Sequence, residues 1–303
     1  LSWGGEKLWV KENIRKALDI SPQKIFFVEH HLSHAASAFL CSPFEEAAIL
    51  TVDGAGEWAT TAMGVGKGND VKLLSEQRFP HSLGLLYSAF TAFLGFEVNE
   101  GEYKVLGMAP YGEPKYVDKI RKIVKQNADG SFYLDMSYFS YHHHTSESYT
   151  EKFRGLFGEP RNPKRRFVTP KTSLFDDKTP ATLEEYESNQ YYADVASSIQ
   201  VVTEELLLSI VRELKGRTGL KKLCIAGGVA LNCVANYKII QSGFFDDVYV
   251  HPAAGDAGGS LGAALYFWNS ALNKKRSFIL NNAYYGREYT DGEIRAFLDS
   301  KEI

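Results

Sequence analysis

The feature that most constrains the fold is an alternation of element types near the carboxyl end. Lys222-Leu223-Cys224-Ile225-Ala226 reads as a strand, 230–241 as a helix, Asp246 to His251 as a strand and 257–271 as a helix. Strands separated by helices pair in parallel, because the crossover returns the chain to the same edge, so an α/β fold is expected. Further upstream, Ala48-Ile49-Leu50-Thr51-Val52, 57–66 and 70–79 read as three strands, with tight turns at Gly54, Gly56, Gly68 and Asn69. Helical spacing is expected over 6–19, 83–95, 114–126 and 187–215, and Lys24-Ile25-Phe26-Phe27-Val28 reads as a short buried strand. The stretch 129–186 is rich in Tyr, Ser, Pro and basic residues with weak periodicity and reads as an insertion. Its run Pro160 to Arg166 suits a solvated loop, or contact with an anionic substrate.

With 44% apolar residues in 303, the chain can bury one large core or two smaller ones. The net charge of -3, from 34 basic and 37 acidic residues, argues against nucleic acid or membrane as the main partner. Three cysteines without paired spacing, Cys41, Cys224 and Cys233, fit a reducing, cytoplasmic setting and read as small packed residues. No apolar run reaches membrane-spanning length.

Leu32, Ala35, Ala36, Phe39 and Leu40 mark one buried side of a helix, which places His30 and His34 together on the opposite, unpacked side and His31 off that face. Two imidazoles at i, i+4 can bind one metal; alone, such a pair is equally at home as surface histidines. Asp53, before Gly54-Ala55-Gly56, and Asp256, in the Gly-rich His251–Gly259 turn, stand at carboxyl ends of strands, where open α/β sheets bind ligands. Each aspartate alone would also serve as a turn or cap residue. Two histidines with carboxylates suit Fe(II), Mn(II) or Zn(II). Gly227-Gly228 between strand and helix offers backbone N–H groups to a nucleotide, without matching a P-loop or dinucleotide fingerprint. The contiguous His142, His143 and His144 read as surface residues, His81 as a local hydrogen-bonding residue, and Ser82 as a helix N-cap.

Taken together, His30-His31-Leu32-Ser33-His34-Ala35-Ala36-Ser37-Ala38-Phe39, Val52 to Glu57, Gly101 to Gly112, Ala193 to Gln200, Gly227 to Asn232 and the Asp256 loop resemble the O-carbamoyltransferases of nodulation and antibiotic tailoring. The resemblance covers nearly the whole chain. It implies an actin-like, sugar-kinase-like fold of two ribonuclease-H-like halves. Residues 1–46 would be a remnant of the first half, 47–275 the second with its insertion at 129–186, and 276–303 a linker toward an adenylate-forming domain. It implies transfer of a carbamoyl group from carbamoyl adenylate, made from ATP and carbamoyl phosphate, to a hydroxyl of a small molecule or glycan. His30, His34, Asp53 and Asp256 match the metal ligands, with iron the expected metal. Gly227, Gly228 and Asn232 match the nucleotide turn, joined by Gly54, Gly56, Glu102 and Lys104.

Residues 1–28 lack the His-Asp-Ala-Ser-like segment that serves the acceptor in the family, so the general base is expected outside this sequence. The chain alone is expected to be poorly active, with an exposed apolar patch. A tRNA threonylcarbamoyl transferase-like protein and a non-enzymatic actin-like nucleotide-binding module are the alternatives.

Overall fold

The computed structural model describes residues 7–172 and 181–301. Its helices are α1 Val10–Leu18, α2 His30–Leu40, α3 Leu83–Phe93, α4 Glu102–Met108, α5 Val117–Arg121, α6 Glu151–Phe157, α7 Leu183–Thr218, α8 Cys233–Gln241, α9 Asp256–Leu265 and α10 Asp291–Ser300. The strands are β1 Glu46–Gly56, β2 Ala59–Lys67, β3 Asp70–Arg78, β4 Val124–Gln126, β5 Phe132–Leu134, β6 Lys222–Ala226 and β7 Asp247–Val250.

Five strands form one sheet in the order β3-β2-β1-β6-β7, the first three antiparallel and the last two parallel to β1. The expected α/β class and parallel carboxyl-terminal pairing are both present. One core packs α3, α7 and the 120–157 segment against the sheet, with Phe90, Phe93, Phe132, Phe139, Phe153 and Phe157 at its centre. A second, smaller core lies under α2, from Ala35, Ala36, Phe39, Leu40, Ile49 and Cys224. The aromatic part of 129–186 is therefore a source of core side chains, and Arg161 of its basic run is buried against the Phe96 and Phe167 rings.

The long α7 starts with a capping box, Thr182 against Glu185, and stops at Gly219 in the left-handed conformation. Buried Asp194 on α7 accepts from Glu113 N–H (2.8 Å), Gln190 Nε2 (2.8 Å) and Lys115 Nζ (2.9 Å). Ser198 Oγ accepts from Tyr116 N–H. The Gly101–Gly112 and Ala193–Gln200 segments are thus two sides of one seam, closed where Gly112 lies against the Ala193 backbone.

Several local expectations fail. Residues 24–28 form no strand: no described neighbour pairs with them, and Phe26 and Phe27 are exposed, Phe26 stacking on Phe267. An aromatic and β-branched run becomes a strand only where a ladder partner exists. The 114–126 helix shrinks to α5, because 124–126 pairs with 132–134 as a hairpin. Helix α1 forms but buries no residue, leaving Leu18 exposed, as is Leu8 in the 3-10 turn before it. Cys41 and Cys224 are buried as expected, whereas Cys233, in the first turn of α8, is exposed. Leu231, Tyr237 and Ile240 beside it are exposed too.

Candidate metal and nucleotide site

Strands β1, β6 and β7 run the same way, so the carboxyl-terminal part of β1 at Asp53-Gly54 meets the loops after β6 and β7, Gly227-Gly228 and 251–256, at one edge of the sheet. Asp53 follows the last parallel rung, Thr51 with Ala226, in the part of β1 where the ladder to β2 is interrupted between Val52 and Gly56. A side chain there is freed from the regular pleat to be aimed at a ligand. Ser82 caps α3 by accepting from Leu85 N–H (3.0 Å) and donates to Gly54 O (2.6 Å), tying that helix start to the Asp53 loop. Gly227 N–H donates to Ala254 O (2.7 Å), tying the β6 loop to the Asp256 loop. Gly227 has φ 96°, and a Cβ on it would collide with the Val52 carbonyl, so only glycine fits.

His30 Nε2 lies 3.0 Å and His34 Nε2 2.8 Å from the same Asp53 Oδ2, and the two Nε2 atoms are 3.0 Å apart. Asp256 Oδ1 stands 3.5 Å from His30 Nε2 and 3.4 Å from His34 Nε2. One donor atom from each of the four residues falls within 4.8 Å of the others. Both Nε2 atoms are within hydrogen-bonding reach of Asp53 Oδ2, and loss of their protons would turn both lone pairs toward a cation. Donor atoms bound at about 2.1 Å to one ion lie roughly 3.0 Å apart in cis-octahedral and 3.4 Å apart in tetrahedral geometry. The spacings here are of that kind, and the N2O2 set fits a borderline divalent cation. The structure brings the four expected ligands together.

It also corrects the expected histidine face. His34 is only 1% exposed and α2 is buried on nearly every side, because α9 covers it: Gly262 brings the α9 backbone against Ser33 O. Gly56 is buried directly under the His30 ring, where any Cβ would strike it; it gives the imidazole room and does not line the cavity described below. His31 is buried toward the sheet, its Nδ1 2.7 Å from Thr51 Oγ1, and burial pushes it down to about 4, so it stays neutral.

Burial alone would push the Asp53 carboxyl up, but hydrogen bonds from His30, His34 and the Gly54 N–H together hold it below the ordinary carboxylate range. The Asp53 hydrogen bond, working against burial, raises His30 above its ordinary value. The Asp53 contribution to stability is therefore present above the unfolded carboxylate pKa and is lost as pH falls through its depressed folded value. The His30 contribution is complete below the unfolded value of 6.5 and is lost as pH rises through the raised folded value. In chelated, metal-free protein the His30 contribution should be lost as pH rises above about 6.5, against the opposite trend of His31, His81 and His251, which burial holds below their ordinary value. Denaturant melts of wild type and His30→Gln from about pH 6 to about pH 9 isolate this contribution, and a difference between them that does not change with pH would contradict the pairing.

A cavity of about 510 Å³ adjoins the cluster, bordered by Asp53, Gly54, Glu102, Gly228, Asn232 and Asp256 among others. Its apolar walls include Leu85, Tyr103, Leu106, Val229 and Leu231. Glu102 Oε1 accepts from Ser88 Oγ (2.7 Å) and Asn99 N–H (3.1 Å), which holds the 99–102 wall in place. Asn232 caps α8 by accepting from Ala235 N–H (3.0 Å) and exchanges hydrogen bonds with buried Gln200, which Tyr87 also contacts. Sequence reasoning missed Ser88, Tyr87 and Gln200, because their roles depend on partners 14 to 113 positions away. Lys104, expected near the nucleotide, is instead turned away: it is exposed over the Tyr103 and Phe96 rings and is not among the cavity's lining residues. No other described group of histidine, cysteine and carboxylate residues has metal-ligand spacing, and 142–144 form an exposed turn.

Residues 6–265 match the family described as carbamoyltransferase N-terminus. The chain belongs to this carbamoyltransferase family. It is 45% identical to an uncharacterised protein of Synechocystis over 100% of this chain and 48% of that protein. It is 36% identical to nodulation protein NolNO of Sinorhizobium fredii over 88% of this chain and 35% of that one. It is 35% identical to nodulation protein NolO of Bradyrhizobium diazoefficiens over 78% and 38%. The carbamoyltransferase-family chain thus spans less than half the length of these relatives. Among its described residues no helix is long and apolar enough to cross a membrane.

Proposed function

We propose that this carbamoyltransferase-family chain is the transfer portion of an O-carbamoyltransferase acting in the cytoplasm. It would receive carbamoyl adenylate, made from ATP and carbamoyl phosphate by another part of a longer protein, and pass the carbamoyl group to a hydroxyl of a small molecule or glycan. The observation that carries this reading is the convergence of His30, His34, Asp53 and Asp256 on the edge of a cavity large enough for a nucleotide. The sheet order, with three antiparallel strands followed by two parallel ones, supports the actin-like, ribonuclease-H-like assignment.

His30, His34, Asp53 and Asp256 would hold a divalent cation, with iron favoured and manganese or zinc compatible. A cation so held supplies Lewis-acid charge beside a phosphoryl or carbonyl oxygen. The rest falls to the chain's own groups. The Gly228 turn lets an adenylate approach the backbone beside Asp53, and Leu85, Val229 and Leu231 exclude water from one wall. An acceptor oxygen forms a bond to the carbamoyl carbon, the carbon–oxygen bond to the adenylate phosphate breaks, and AMP departs as the acceptor proton is lost. Orientation of these partners is the contribution of a rigid, loop-tied site.

The lining of the cavity includes Asp53, Glu100, Glu102 and Asp256 and no lysine or arginine. A bound phosphate therefore depends on the cation for compensating charge. AMP binding, followed by titration calorimetry, should weaken by roughly 10-fold or more, about 1.4 kcal/mol or greater, when the protein is stripped with a chelator. Equal affinity with and without chelator would overturn the metal-assisted reading in favour of a nucleotide-binding module.

A further inference from the structure

We propose that the buried His31–Thr51 pair is a positioning element that sets the rotation of α2 about its axis, and so makes His30 and His34 converge on Asp53. The inference rests on the metal-site reading above and concerns residues outside the ligand set.

The polar contacts between α2 and β1 are few. His30 and His34 meet Asp53, and His31 Nδ1 meets Thr51 Oγ1 at 2.7 Å. Thr51 and Asp53 both contact side chains of α2 and so face the same helix. Successive α-helical residues are about 100° apart, so His31 reads a different part of the helix circumference from His30 and His34. These three contacts are the side-chain hydrogen bonds that tie α2 to β1; without the His31 contact only those made by the ligands themselves are left. Both members are almost wholly enclosed, with Thr51 0% and His31 3% exposed, so water offers no replacement partner.

The other supports of α2 are its close packing and, at its carboxyl end, the Arg276 hydrogen bonds to Leu40 O and Phe39 O, both remote from the ligand end of the helix. Gly262 permits backbone approach from α9, and Gly66 permits the Phe39 ring to lie flat on β2. An imidazole tip stands roughly 7 Å from the helix axis, so a turn of about 20° moves it by about 2.4 Å, nearly a full donor–donor spacing. A rotation well short of that already opens the donor–donor spacings, so the pair acts by trimming a helix that close packing holds in place.

The test compares Thr51→Val, which replaces the hydroxyl with a methyl of similar size, with Thr51→Ser, which keeps it. Chelator-stripped protein is titrated with Zn(II) and with Mn(II) in a calorimeter. Thr51→Val is expected to weaken binding by about 10-fold or more, while Thr51→Ser stays within about 3-fold of wild type. Should Thr51→Val not fold, Thr51→Cys, with a weaker hydrogen-bonding group of similar volume, is read in the same way. Valine binding as tightly as wild type, or serine losing as much as valine, overturns the proposal. A second arm uses metal-free protein and compares unfolding midpoints of Thr51→Val, Asp53→Asn and the double variant. If Thr51 positions the histidines, the loss from Asp53→Asn shrinks in the valine background; strictly additive losses overturn the proposal. Wild-type protein that takes up neither cation would sink the metal reading, while this cycle still decides the positioning role.

Discussion

His34→Ala is expected to leave the protein folded but unable to retain its cation, with metal content falling from near one equivalent to background. His34 is 1% exposed and approaches both Asp53 and Asp256, so it is the most enclosed member of the cluster. Removing a residue that merely supports a metal ligand costs about 10- to 100-fold in affinity, and removing a ligand itself should cost at least the upper figure. Loss of one preorganised charge-stabilising contact lowers turnover by about 100- to 1,000-fold, and on the proposed function carbamoyl transfer should fall accordingly. Mass spectrometry of bound metals and a transfer assay check the two halves separately. His34→Gln keeps much of the volume and should fail in the same way. Wild-type metal content in either variant would mean that the four donors do not form one site.

The second large effect lies outside the family match, which ends at residue 265. Arg276 donates from Nε to Leu40 O (3.1 Å), from Nη1 to Phe44 O (2.6 Å) and from Nη2 to Phe39 O (2.9 Å) and to Ser42 O. It also stacks over the Phe39 ring, 4.6 Å from its centroid. These carbonyls close the carboxyl end of α2, where a cation complements the helix dipole. Arg276→Met should destabilise the protein by about 3 kcal/mol, since it removes several charge-assisted hydrogen bonds and leaves carbonyls without partners. For a chain of this size that is a fall of roughly 5 °C in Tm. Lysine should restore little, because one ammonium cannot reproduce the planar fork. Thermal melts of metal-free protein measure this, and a fall under about 2 °C would show that the clamp is dispensable.

What was legible in the sequence was local. The strand–helix alternation from Lys222 onward, the three strands between residues 46 and 78 and the extent of α2 follow from periodicity and turn chemistry within each segment. The paired histidines were visible for the same reason, since i, i+4 spacing is a property of one helix. Their burial was not visible, because α9, which covers them, begins more than 200 positions later. Asp53 and Asp256 were legible as strand-end residues, and only the ordered set of motifs joined them to the histidines. Phe26 and Phe27 misled because side-chain character cannot report whether a ladder partner exists. Arg276 carried no signal at all, and Gln200 none beyond its place in the Ala193–Gln200 segment: one ends on backbone carbonyls and the other on an amide, and neither kind of contact leaves a spacing rule behind.

The parallel pairing of β1 with β6 has a consequence for how the site comes into being. Ala48 pairs with Leu223, 175 positions later, and β7 and the Asp256 loop follow only after that pairing. The antiparallel β1–β2–β3 segment can close early from neighbouring residues, whereas a contact across so long a loop forms only after a large entropic cost has been met. Asp53 and both histidines lie on the early side and Asp256 on the late side. During refolding, full coordination should therefore lag behind the hairpin signal, and a cation added at the start would first meet a three-donor site that acquires its fourth arm last.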